Sequence, residues 1–321
     1  MRCEIIQGDC EQFLKTASYE RFDLTFLDPP FNQGKEYNIH NDEMSTSEYW
    51  NWMKRVCKLI YERTSDGGTI YFMQREKNAQ FVLETLLSTG WVFQNLIVWK
   101  KKTSAVPCEA RFGKHYQIIA FATKGKTPRV FNKLRIDPPL LVTEKYERPN
   151  GMFVTDVWDD IRELTSGYFA GDEPLRLDNG DRLHKQQSPV QLLTRIILSS
   201  SNVGDLVFDP FAGTGTTLVV AKQLQRNSLG IEIDPINVSF IENRLYNERL
   251  SENILKYRSD YFFTENLDEF WPLSASDKID KKSEEKYRLK IKKYEIKNTQ
   301  TQLALLEKQK EYIINKQTEN A

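Results

Sequence analysis

The chain has no net charge: 45 Lys and Arg balance 45 Asp and Glu over 321 residues. A field of one sign around the whole molecule is excluded, so attraction to a polyanion has to come from local patches. Histidine is scarce, and the four cysteines (Cys3, Cys10, Cys57 and Cys108) form no CxxC pair and have no histidine at metal-ligand spacing. This argues against zinc and a disulfide framework, predicts free thiols in a reducing compartment, and leaves no metal to be expected. No apolar run approaches the roughly 20 residues that cross a bilayer, and the opening MRCEIIQGDC lacks the apolar core of a secretion signal. A cytoplasmic protein with no membrane contact is expected. No repeat of fixed period occurs.

Local patches are present. Between Lys100 and Arg148 twelve Lys and Arg face four acids, whereas residues 156–181 hold eight acids against Arg162 and Arg176. Strand-like runs at Ile5-Ile6, 24–27, 69–73, 92–99, 118–123, 206–208 and 229–233 alternate in part with helical patterns at 47–64, 77–88, 189–201, 215–225 and 235–249. That alternation predicts a doubly wound α/β fold with a mostly parallel sheet covered on both faces. Residues 125–182 break the rhythm with five of the twelve prolines and blocks of charge, which reads as an insertion. Beyond about residue 274 the chain turns to Lys, Glu, Gln and Asn, and the broken heptad of Ile291, Tyr294, Leu305 and Tyr312 predicts a solvated helical tail.

The run Asp23–Leu27 ends in Asp28-Pro29-Pro30-Phe31. Two prolines remove two backbone donors and forbid helix, so the chain must leave the sheet in a stiff, extended turn with carbonyls free of any ladder. Alone, DPPF also suits an ordinary strand exit. A second constellation spans Gly204–Asp234. Its first strand enters Asp209-Pro210-Phe211-Ala212-Gly213-Thr214-Gly215-Thr216-Thr217, a helix follows, and a second strand ends at Glu232-Ile233-Asp234. Gly213 and Gly215 allow close backbone approach to a ligand at a helix N-terminus, although a GxG after a strand is also a common tight turn. Glu232 is placed to accept ribose hydroxyls as in dinucleotide folds. The spacing fails both G-x-G-x-x-G and the P-loop, which favours a nucleoside without a phosphate chain.

DPPF, FAGTGTT (Phe211–Thr217) and HKQQSPVQLL (His184–Leu193) together resemble the permuted β group of DNA amino-methyltransferases, in which the catalytic motif precedes the cofactor motif. The likeness covers about residues 1–250. It implies the Rossmann-like fold of S-adenosylmethionine-dependent methyltransferases, circularly permuted: a catalytic half (1–124), a target-recognition insertion (125–183), a cofactor-binding half (184–250) and an extension with the charged tail (251–321). S-adenosylmethionine and double-stranded DNA are the implied cofactor and partner; a cognate restriction endonuclease and a homodimer stay open. The resemblance brings Asp9 to the adenine amine of the cofactor, although Gly8-Asp9 reads equally as a turn and cap for the helix beginning at Cys10. Where the family has H-P-T-Q-K-P, this chain has His184-Lys185-Gln186-Gln187-Ser188-Pro189, so Lys185, Gln187 and Ser188 become the replacements that would hold the methionine carboxylate.

The chemistry then assigns roles. An exocyclic amine on adenine or cytosine is a poor nucleophile because its lone pair is delocalised into the ring. Two acceptors on its protons, the Asp28 carboxylate and the Pro29 carbonyl, would return that pair to nitrogen. Asp28 would also stabilise the cationic amine as it forms, and Phe31 would stack on a flipped base. Asn32 and Tyr37 either line the pocket mouth or belong to an ordinary loop. His115 and His184 receive no proton chemistry. With this core attached, the basic region, through Lys101, Arg111, Lys114, Lys124 and Arg129, would meet phosphate. The family's aspartate form of the tetrapeptide points to adenine N6. The alternatives are cytosine N4 and a catalytically silent DNA-binding subunit.

Overall fold

The computed structural model describes residues 1–16, 21–32, 44–103, 108–136, 151–164, 171–177, 179–180, 182–183, 187–273 and 300. The expected tail, Tyr37, His184 and Lys185 lie outside them. The strands are β1 (Cys3–Gln7), β2 (Phe22–Leu27), β3 (Thr64–Arg75), β4 (Val92–Lys100), β5 (Tyr116–Thr123), β6 (Arg135–Ile136), β7 (Met152–Phe153), β8 (Val157–Trp158), β9 (Leu206–Asp209) and β10 (Asn227–Glu232). The helices are α1 (Cys10–Thr16), α2 (Thr46–Arg63), α3 (Ala79–Ser88), α4 (Val190–Ser200), α5 (Thr216–Gln223), α6 (Pro235–Tyr246), α7 (Leu255–Arg258) and α8 (Leu267–Phe270).

Eight strands form one sheet in the order β1-β10-β9-β2-β3-β5-β4-β8, with β5 antiparallel to both neighbours and every other pairing parallel. The expected doubly wound, mostly parallel architecture is therefore present. From β2 the chain adds strands toward β3, whereas from β9 it adds them toward β10 and β1. The order thus reverses between β9 and β2, the switch point beyond whose carboxyl ends open α/β sheets bind their ligands. Residues Leu24–Leu27 of β2 are all buried, the pattern of a strand covered on both faces.

Helix α2 shows how local sequence feeds that core. Ser45 and Glu48 close a capping box, the Ser45 hydroxyl accepting the Glu48 amide at 3.3 Å and Glu48 accepting the Ser45 amide at 3.1 Å. Tyr49, Trp52, Met53, Val56, Cys57 and Ile60 then recur at three- and four-residue spacing and are buried. Each such side chain contributes about 1.5–3 kcal/mol relative to exposure. Helix α4 is buried at ten of its eleven positions. Its Arg195 is tolerated there because its guanidinium pairs with Asp160 at 2.8 Å and lies 5.2 Å from the Trp158 ring centre.

The chain divides into two compact units. The first is Met1–Lys133, Val154–Ile254 and Asn266–Leu273, which holds the sheet. The second comprises Leu134–Phe153, Leu255–Glu265 and Ser274–Ala321. Within the second, β6 and β7 pair antiparallel, the Arg135 guanidinium lies 3.9 Å from the Phe153 ring centre, and the Thr264 hydroxyl accepts the Arg135 amide at 2.8 Å. No helix among the described residues is long and apolar enough to cross a membrane.

Candidate active site

Four neighbouring parallel strands lead into carboxylates on one edge of the sheet: Asp9 after β1, Glu232 closing β10, Asp209 closing β9 and Asp28 after β2. Burial pushes Asp209 up to about 7, against the Thr217 hydroxyl and the Phe211 amide, which donates at 3.1 Å. Asp28, partly buried by its exposed area, is raised well above the usual carboxylate range, first by burial and then by the Asp209 charge. The Ser188 hydroxyl, donating at 3.3 Å, and the Lys101 charge oppose that rise. Burial also raises Glu232. Three acids that resist ionising together form a site that a cation would stabilise.

Glu232 organises the loop between β9 and α5. Its Oε2 accepts the Gly213 amide at 2.7 Å and its Oε1 the Asp234 amide at 2.9 Å. The Gly213 donor is thus already used within the protein, in keeping with a ligand that brings no phosphate. Gly213 has φ +54°, and a Cβ there would meet only the Phe211 carbonyl, at 3.8 Å, so the space over it is open among the described residues. Gly215 differs. At φ +80° its Cβ would stand 2.7 Å from the Ile241 side chain, so this glycine serves helix packing rather than ligand approach. Beneath the loop the Thr214 carbonyl accepts from buried Arg244, which pairs with buried Glu252 at 2.8 Å.

The turn after β2 is held from below. Tyr49 donates its hydroxyl to the Pro30 carbonyl at 2.7 Å and accepts from Gln74 Nε2 at 3.0 Å. The Pro29 carbonyl accepts no hydrogen bond from any described residue. Of the two carbonyls released by the prolines, one is anchored and the other remains beside Asp28. Phe31 is buried.

A family model described as DNA methylase matches residues 22–243. The chain belongs to the adenine-N6/cytosine-N4 DNA methylase family. It is similar to the Type II methyltransferase M1.MboII of Moraxella bovis, 28% identical over 268 residues, which cover 75% of this chain and 97% of that protein. It is 32% identical to the Type II methyltransferase M.HinfI of Haemophilus influenzae over 262 residues, covering 75% of this chain and 67% of the relative. Among solved structures, the M1.HpyAVI–SAM complex matches with a TM-score of 0.51 at 23% identity, over 76% of this chain and 99% of that one. PvuII DNA methyltransferase, described as cytosine-N4-specific, matches with a TM-score of 0.57 at 18% identity, over 78% and 89%. These structures establish the α/β methyltransferase fold.

In this DNA methylase the expected residues divide. Asp28, Ser188, Asp209, Pro210, Phe211, Gly213, Thr217, Glu232 and half-exposed Ile233 stand on the carboxyl edge or on the loops leaving it. Lys101, Arg111 and Lys114 belong to the connection between β4 and β5 on that same edge. Gln187 does not reach outward: its Oε1 accepts the Leu175 amide at 2.9 Å and its Nε2 donates to the Glu173 carbonyl at 3.3 Å. Asp9 caps α1 by accepting the Gln12 amide at 2.8 Å, and Asp234 caps α6 by accepting the Ile236 amide at 2.9 Å. Thr214, Thr216 and Ala212 are buried in the loop itself. Asn32, at φ +50°, exchanges two hydrogen bonds with the Met44 backbone, at 2.7 and 3.0 Å, so its amide is a clamp.

Lys124 and Arg129, expected at phosphate, lie on a different edge from the other basic residues. Strand β5 runs against its neighbours and delivers the chain to the opposite edge, where Lys124 donates to the Thr64 carbonyl at 2.8 Å. Arg129 pairs there with Asp205 at 2.6 Å and Asp23 at 3.2 Å, both near strand starts. Tyr49, Gln74 and Arg244 were not legible as site supports, since the Pro30, Tyr49 and Thr214 groups they hold lie 19 to 30 residues along the chain. A glutamine inside the apolar run of β3 was the one available sign.

Proposed function

We propose that this chain is a sequence-specific DNA methyltransferase that moves a methyl group from S-adenosylmethionine to the exocyclic N6 of an adenine flipped out of the duplex. The observation that carries the reading is the placement of Asp28 next to the Pro29 carbonyl, which has no partner among the described residues, with Asp28 electrostatically coupled to Asp209 beside the open face of Gly213. When bound, S-adenosylmethionine supplies a methyl group on a positively charged sulfur. The residues present fit that group: the carboxylate row suits a cation, and Glu232 Oε2, which accepts only the Gly213 amide, retains acceptor capacity for a ribose hydroxyl, while Oε1 is taken by the Asp234 and Asn237 amides.

Asp28 and the Pro29 carbonyl each accept one amine proton of the base and so direct the nitrogen lone pair toward the methyl group. The stiff turn holds both acceptors in line, so positioning provides much of the acceleration. Asp28 offsets the positive charge that grows on nitrogen before its proton leaves. Lys101, Arg111 and Lys114 meet phosphate, and the target-recognition role falls to residues 125–183. The resemblance of DPPF to adenine enzymes supports N6. The relatives' Type II names support a place beside a restriction endonuclease.

The test is to incubate the protein with methyl-tritiated cofactor and mixed-sequence duplex DNA and to identify the labelled nucleoside. Labelled N6-methyl-2′-deoxyadenosine is expected, labelled N4-methyl-2′-deoxycytidine would replace the base assignment, and absence of label would favour a binding subunit. Asp28→Ala should abolish labelling while calorimetry still detects cofactor binding. Lost binding with persistent methylation would reverse the assignment of roles.

A further inference from the structure

We propose that Phe112 enters the DNA duplex and occupies the space vacated by the target base. The proposal rests on the methyltransferase reading above. Phe112 is 98% exposed, higher than any other large apolar side chain among the described residues. A phenyl ring left wholly in water forgoes the burial that its size would reward. The other two nearly as exposed, Tyr246 at 87% and Leu250 at 91%, lie at and beyond the end of α6, which starts on the carboxyl edge and runs away from it.

The position of Phe112 is constrained. The connection from β4 to β5 leaves and rejoins the sheet on the edge that carries Asp28. Its base is pinned, since the Lys101 amide donates to the His115 carbonyl at 2.8 Å, and the Lys102 and Thr103 amides donate to Glu163 at 2.8 and 2.9 Å. Lys101 is close enough for its charge to act on Asp28. Phe112 is three residues from His115, so the chain holds its Cα within about 11 Å of that pinned point.

The surroundings select a nucleic acid. Arg111 and Lys114 lie one and two residues from Phe112 in the chain and Lys102 stands at the base of the same connection, charges suited to phosphate; Lys114 also stands 3.6 Å from Glu76. An apolar wedge between cations matches a base stack flanked by its backbone, and apolar side chains inserted between base steps are an established means of unstacking them. Flipping a base costs least when it is already unpaired, which separates the wedge from other roles for this residue.

The experiment compares wild type, Phe112→Ala and Phe112→Trp on two duplexes containing the methylated site, located by sequencing modified plasmid DNA. One duplex is fully paired; the other has an abasic position opposite the target base. Phe112→Ala should lose about tenfold or more in rate on the paired duplex, in proportion to the stacking surface removed, and recover to within about twofold of wild type on the abasic one. Phe112→Trp should retain paired-duplex activity. Melting temperatures should be unchanged because the side chain packs against nothing in the core. Equal rates for all three proteins on the paired duplex, or equal losses on both duplexes, would overturn the wedge. Unchanged methylation with loss of self-association would assign Phe112 to a protein contact and overturn it as well. If wild type methylates neither duplex nor plasmid, the methyltransferase reading fails first.

Discussion

Tyr49→Phe isolates the support of the catalytic turn. The substitution keeps the ring and its edge contacts with Trp50 and Trp52, at centroid distances of 5.0 and 5.9 Å, while deleting the hydroxyl that joins Pro30 to Gln74. Two hydrogen bonds disappear, each contributing about 1 kcal/mol net, and a carbonyl and an amide lose a partner in buried or part-buried surroundings, so the total loss is about 2–3 kcal/mol. In a unit of this size that corresponds to a melting temperature lower by roughly 4–12 °C. Freed from its anchor, the Pro29–Pro30 segment can move its acceptors off line, and a 1 Å misplacement costs on the order of a hundredfold. Steady-state methylation well below the melting temperature should therefore show kcat reduced about 10–100-fold, with KM for S-adenosylmethionine within about twofold of wild type. The KM expectation follows because, among the described residues, the hydrogen bonds of Glu232 and Gly213 do not involve the Tyr49 hydroxyl. A kcat within twofold of wild type, despite the expected fall in stability, would refute the claim that the Pro30 anchor positions the chemistry.

Cofactor binding should depend on pH through the carboxylate row. Asp209 stands at about 7 through burial, whereas an ordinary aspartate ionises near about 3.9. The folded protein therefore holds a proton that the unfolded chain releases, and the stability this contributes is complete below about pH 4 and lost as pH rises through about 7. A cationic ligand favours the ionised acids, so calorimetry should find S-adenosylmethionine bound more tightly at pH 8 than at pH 6, with a weaker dependence for its neutral-sulfur product. Equal slopes would count against the sulfonium facing these acids. Arg129→Ala should leave DNA affinity unchanged in a mobility-shift titration and lower stability by about 0–1 kcal/mol, since its ion pairs are partly solvated and lie on the edge away from Asp28. A clear loss of DNA binding would restore Arg129 to the interface.

The local code explains why much of this protein is legible in one dimension. The alternation of short apolar runs with helical patterns determines the doubly wound sheet, because a strand buried on both faces must be continuously apolar and its crossover helix must bury a stripe. The double proline removes two donors from the ladder at Pro29 and Pro30, and the glycines permit the left-handed backbone found at 213 and 215. Both consequences are properties of the residues themselves.

The tertiary structure decided everything that depends on which ends meet. It anchored the Pro30 carbonyl through Tyr49 and left that of Pro29 without a partner among the described residues, assigned Gly215 to Ile241, and turned Gln187 inward to the Glu173–Leu175 backbone. One antiparallel strand separated the basic region, keeping Lys101 and Lys114 on the carboxyl edge and carrying Lys124 and Arg129 to the other. Strand direction is set by pairing between segments distant in the chain, so charge counted along the sequence reveals that a patch exists but not which edge receives it.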